Sequence, residues 1–160
     1  MQGQAGRSQC AGCGAWIRDG TAGCQAIFEE IGARAWADLR YARRQRMVVD
    51  TYCLQHPERY CVSAKSLAAH LTGLAWAFEY GEHPSVARAV LRFLDGNPSL
   101  QKPDLPASRG AMTIADVAAS GPDGFAAAVE GWAHCTWDAY AALQPLARQW
   151  IEEALAGRRS

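Results

Sequence analysis

The chain has 160 residues, with 16 basic and 16 acidic side chains and a formal net charge of zero. A chain of this length buries about 70% of the surface it exposes when unfolded, so a single domain folds without a staple. Balanced charge removes the electrostatic footprint that nucleic acid or an anionic membrane surface requires, and neither is expected as a partner.

No stretch approaches the ~18 consecutive apolar residues of a membrane span. Residues Met1 to Gln9 are polar and lack the apolar core of a secretory signal, so cytoplasmic residence is the expectation. In a reducing compartment the six cysteines serve as metal ligands, reactive thiols or buried side chains rather than disulfides.

The amino-terminal segment carries Cys10-Ala11-Gly12-Cys13-Gly14, followed by Cys24. Two thiolates three positions apart around a glycine form half of a tetrahedral site, and Cys24 adds a third ligand. Zinc is the expected cofactor, because it accepts thiolate and imidazole without redox chemistry.

Beyond this loop the pattern is helical, with apolar residues at three-and-four spacing and almost no period-two alternation. A first helix is predicted from Cys24 to Leu39, with Ile27, Phe28, Ile31, Ala35 and Leu39 on one face. A second runs from Arg43 to Gln55 and stops at Pro57. Ser63 caps a third, whose stripe of Leu67, His70, Leu71, Leu74, Ala77 and Phe78 ends near Gly81. His83-Pro84-Ser85 opens a fourth, which stops at Asp95-Gly96-Asn97-Pro98.

Pro98, Pro103 and Pro106 mark an irregular loop. Thr113 with Asp116 signals a short helix start, and a longer helix begins near Pro122. Pro145 either kinks that helix or starts a final one. The prediction is an all-α, single-domain helical bundle over 1–160. It comprises a Cys-rich metal-binding loop at 1–23, a first helical half at 24–95, a proline-rich loop at 96–110 and C-terminal helices at 111–160.

A structural zinc needs a fourth ligand. His56, at the end of the second helix, is the leading candidate. A histidine there also suits an interaction with the last helix carbonyls. His70, Cys53 and Cys61 are alternative or additional ligands, against the simpler expectation that each is buried in the core. Asp50 is a candidate to orient the ligating imidazole, or to pair with Arg46 four residues earlier. His83 and His134 are best explained by local capping or partial burial, and Cys135 by the core. The tryptophans Trp16, Trp36, Trp76, Trp132, Trp137 and Trp150 are expected as core and groove fillers.

Taken together, Cys10-x-x-Cys13-Gly14, Asp50-x-Tyr52-x-x-Gln55-His56-Pro57, Ala69-His70-Leu71 and Arg109-Gly110-x-x-Thr113 with Asp116-Val117 resemble an uncharacterised family of small bacterial proteins, a domain of unknown function. The resemblance spans nearly the whole chain. It adds weight to Cys10, Cys13, Cys24, His56 and His70 as a working set and implies no reaction.

Three functions stay open. A structural zinc fastens the loop to the bundle, and a helical groove binds a protein or small molecule. Alternatively, an open metal site carries a water for hydrolase or lyase chemistry, or Cys53 and Cys61 serve as a thiol-based metal or redox sensor. A groove along Trp132, Trp137 and Tyr140 is a ligand pocket, a homodimer seam or ordinary core.

Overall fold

The structure, a computed structural model, describes residues 6–157. Two short strands, β1 (Arg7–Gln9) and β2 (Trp16–Arg18), precede the helices α1 (Gly20–Arg34), α2 (Leu39–Ala42), α3 (Gln45–Gln55), α4 (Pro57–Tyr60) and α5 (Ala64–Glu79). Then follow α6 (Pro84–Asp95), α7 (Ile114–Ala119), α8 (Gly121–Ala139) and α9 (Gln144–Ala156). Apart from the hairpin the fold is all-α. The outermost parts of the predicted loop and tail, residues 1–5 and 158–160, lie outside the described residues.

The hairpin is antiparallel, with Arg7 opposite Arg18, Ser8 opposite Ile17 and Gln9 opposite Trp16. Each strand has three residues, too few for a period-two search to register. Ile17 faces inward, whereas Trp16, expected as a core or groove filler, alternates to the outer face of the strand and is 58% exposed. The chain then turns through Asp19 in the left-handed region (φ 61°). As a result α1 starts four residues earlier than predicted and ends at Arg34 rather than Leu39. The Asp38 side chain accepts from Arg40 N at 2.9 Å and caps α2.

That break corrects two expectations. Leu39 leaves the first helix's apolar face and is exposed, and Trp36, expected in the core, is 94% exposed. The groove along Trp132, Trp137 and Tyr140 resolves as ordinary core, since all three are buried.

Cap signals place the later helices well. Ser63 and Ser66 form a reciprocal cap at the start of α5, and Thr113 and Asp116 do the same for α7. Pro57, Pro84, Pro122 and Pro145 each lie in the first turn of a helix, where the missing N–H costs nothing. Pro145 therefore starts a final helix. Leu67, Leu71 and Leu74 of α5 are fully buried against α3 and α9, while α8 packs on α3 and α7.

Gln55 ties this core to the irregular segment that precedes α7. Its Nε2 donates to the carbonyls of Arg109 (2.9 Å) and Met112 (2.8 Å), and its Oε1 accepts from Trp132 Nε1 at 2.8 Å. Both Gln55 and Trp132 are fully buried. We expect Gln55→Leu to cost about 2–4 kcal/mol by stranding buried polar groups. Urea unfolding reads this as a lower midpoint, and an unchanged midpoint contradicts it.

Candidate metal centre

Cys10 and Cys13 stand in the tight turn that closes the hairpin. Cys10 N donates to Ala15 O at 2.8 Å and Gly14 N donates to Cys10 O at 2.9 Å, folding the thiols to one side. Cys24 comes from the first part of α1, fully buried beneath them. His56, the residue between α3 and α4, closes the group from the bundle side.

The ligand atoms of Cys10, Cys13, Cys24 and His56 all lie within 4.8 Å of one another, and the group can hold a metal ion. His56 Nε2 is 3.4 Å from both Cys10 Sγ and Cys24 Sγ, and Cys13 Sγ is 3.7 Å from Cys24 Sγ. Gly12 permits this approach, because a Cβ there would overlap the His56 ring.

The second imidazole nitrogen fixes the orientation. His56 Nδ1 is 2.7 Å from the Tyr52 carbonyl, a distance at which a neutral ring donates through Nδ1–H. Nε2 then presents its lone pair to the sulfurs. Donation to a helix carbonyl and metal ligation thus belong to one side chain at once. The ring also stacks on Tyr52 (centroids 4.0 Å apart), which stacks on Phe28 of α1 at 4.0 Å.

Electrostatics divides charge unevenly among the sulfurs, favouring the thiolate at Cys10 and Cys13 and the thiol at Cys24. Burial opposes ionisation of Cys10, but the backbone N–H groups of Cys13 and Gly12 and the His56 imidazole bring its thiol below the ordinary value. The hydrogen bond from Cys24 holds the Cys13 thiol low, and the same bond together with burial holds Cys24 high. For His56 burial disfavours the cation, yet the neighbouring Cys13 sulfur and the Tyr52 carbonyl shift it upward. A dication entering this site meets thiolate character already present.

The remaining candidates lie elsewhere. Asp50, considered as the orienting partner of the ligating imidazole, bonds instead to His70: Oδ1 lies 2.9 Å from His70 Nδ1. Arg46 Nε is 3.7 Å from its other oxygen. His70 is thereby engaged one helix away from the sulfurs. Cys53 and Cys61 are buried against each other's segments, with Cys61 Sγ donating to the Cys53 carbonyl at 3.6 Å. His83 caps α6 by accepting from Ser85 N, His134 stacks on Phe78, and Cys135 is half-buried.

Arg109 is the participant that residue spacing did not reveal. Its guanidinium donates to the Gly12 carbonyl at 3.0 Å and pairs with Glu58 of α4, so it grips the cysteine turn from the proline-rich side. Separated from Gly12 by 97 positions, it left no local signal beyond its presence in the Arg109-Gly110 motif.

Fold and site together define an all-helical protein carrying a Cys₃His cluster between an amino-terminal hairpin and the bundle. The chain belongs to the family of unknown function DUF5946, which matches residues 8–141. No curated protein and no solved structure matches it. Among the described residues no helix is long and apolar enough to cross a membrane.

Burial raises the thiols of Cys53 and Cys61 from their ordinary 9.0 to about 12. The folded chain holds these protons more tightly than the unfolded one, so their stabilising contribution is complete below pH 9.0 and is lost as pH rises through about 12. Urea titrations should show stability declining over that window, and the Cys53→Ala/Cys61→Ala double variant should flatten the decline. An equal decline in both proteins contradicts the assignment.

Proposed function

We propose that Cys10, Cys13, Cys24 and His56 bind zinc as a closed structural site, and that the protein is a zinc-stapled binding module. One observation carries the reading. A regular tetrahedron of zinc ligands, with bonds of about 2.3 Å to sulfur and 2.0–2.1 Å to nitrogen, has edges of ~3.8 Å between sulfurs and ~3.5 Å from sulfur to nitrogen. Three of the cluster's six spacings, 3.7, 3.4 and 3.4 Å, match those edges, and all six lie within 4.8 Å.

Closure follows from the donor count. Four protein donors fill a tetrahedral ion and leave no position for a reactive water, which disfavours the hydrolase or lyase alternative. The thiol-sensor alternative fits poorly too, because Cys53 and Cys61 are buried and held protonated. Cytoplasmic residence goes with this reading, since a three-thiolate site persists where thiols stay reduced.

What the staple holds in place is a cavity of about 290 Å³ beside His56. Its lining includes Gly12, Thr21, Gln25, Tyr52, Arg59 and Tyr60. A concave, largely apolar surface with a few polar groups suits recognition of a small molecule or a partner's side chain.

Protein purified without added metal should contain a single zinc per chain. Zinc present at about a thousand times its Kd stabilises the fold by ~4 kcal/mol, so stripping it should lower Tm by roughly 8–16 °C. Cys13→Ser and Cys24→Ser should reproduce most of that loss, and His56→Ala should release metal far more readily than His83→Ala. Cobalt substitution should give the visible spectrum of a four-coordinate thiolate site. Unchanged metal content and melting in the cysteine variants would refute the proposal.

A further inference from the structure

The cavity beside His56 has an origin that bears on its ligand. One wall is the cysteine turn, at Ala11 and Gly12; a second is α1, at Thr21 and Gln25; the third is the end of α3 with α4. These are the three segments from which the cluster draws its ligands. Apart from the cluster, the turn is held to the other two by few bonds. Ala11 N donates to Thr21 Oγ1 at 3.0 Å, and Arg109 reaches the Gly12 carbonyl.

Charge is unevenly compensated around this space. Glu58 is neutralised by Arg109. Arg59, exposed at the rim, donates to the neutral Gln25 amide and lies 5.4 Å from the Tyr60 ring centroid. Among the described residues no carboxylate pairs with Arg59. Tyr52 is buried between Phe28 and His56, so the pocket couples the half-buried Tyr60 ring to a guanidinium without a carboxylate partner, whose planar fork matches a carboxylate.

The geometry points to a small aromatic carboxylate as the ligand of this pocket, bound with its ring against Tyr60 and its anion on Arg59, and only while the Cys₃His site holds its metal. The inference rests on the zinc reading above and adds to it a ligand class and a dependence. Metal fixes the turn that forms one wall, so ligand and metal favour the same arrangement and each strengthens the other's binding. Gly12 contributes to both: it accommodates the His56 ring on the cluster side and presents bare backbone to the cavity.

The test uses 2-naphthoate and its neutral analogue 2-naphthalenemethanol, titrated calorimetrically into the metal-loaded full chain. We expect 2-naphthoate to bind and the alcohol to bind at least about tenfold more weakly, a difference of ~1.4 kcal/mol. Arg59→Gln, a change at an exposed position, should erase that preference while leaving the alcohol's affinity unchanged. Metal-stripped protein, its helix content checked by circular dichroism, should bind 2-naphthoate at least about tenfold more weakly, and added zinc should restore binding.

Absence of binding to the loaded protein, or equal binding of acid and alcohol, overturns the ligand class. Full affinity in Arg59→Gln overturns it as well. Full affinity in stripped, folded protein overturns the metal dependence. Failure of the zinc reading itself shows separately, as metal analysis of the purified protein finding no zinc.

Discussion

Three sulfurs and one imidazole nitrogen converge from three separate segments of the chain. The hairpin contributes Cys10 and Cys13, α1 contributes Cys24, and the junction of α3 and α4 contributes His56. The hairpin strands are three residues each, and a ribbon of that size is not stable alone in water. Buried Ala15 and Ile17 and the Arg109 bond to the Gly12 carbonyl seat it on the bundle, together with the junction of its turn and His56. An ion at that point would fix the turn, the start of α1 and the end of α3 at once, the three segments that also wall the cavity.

The segment Gln55-His56-Pro57-Glu58 is where the bundle meets that constraint. Gln55 points into the core and holds the loop carbonyls of Arg109 and Met112. His56 turns the opposite way, toward the sulfurs. Pro57 begins α4, and Glu58 on its first turn engages Arg109, which in turn holds the cysteine turn. Four consecutive residues thus connect the core, the cluster, the proline-rich loop and the hairpin. This gives a physical reason for a Gln-His-Pro run in a helical protein: each residue meets a different requirement of one junction.

Much of this was legible from residue types alone. Cys-x-x-Cys followed by a third cysteine marked the turn, because two thiols at that spacing around a glycine can approach one ion. Helix starts at Ser63 and Thr113 were readable because capping is a local hydrogen-bond pattern. The end of α1 was not, since Ala35 and Leu39 continue its apolar period while Asp38 caps a new helix. Trp36 misled for a related reason: hydrophobicity predicts burial only on average. Of the two roles open to Asp50, the pairing with Arg46 is present, while the imidazole it meets is His70 rather than His56, because α5 lies alongside α3. Arg109 and the Tyr52 carbonyl went unread as parts of the centre, one for its distance along the chain and the other because a backbone oxygen carries no side-chain signature.

The most direct measurement is X-ray absorption at the zinc edge of the protein as purified. The account predicts a first shell of three sulfurs at about 2.3 Å and one imidazole nitrogen at about 2.0–2.1 Å, with no oxygen. A shell dominated by oxygen or nitrogen, or one with fewer than three sulfurs, would contradict it.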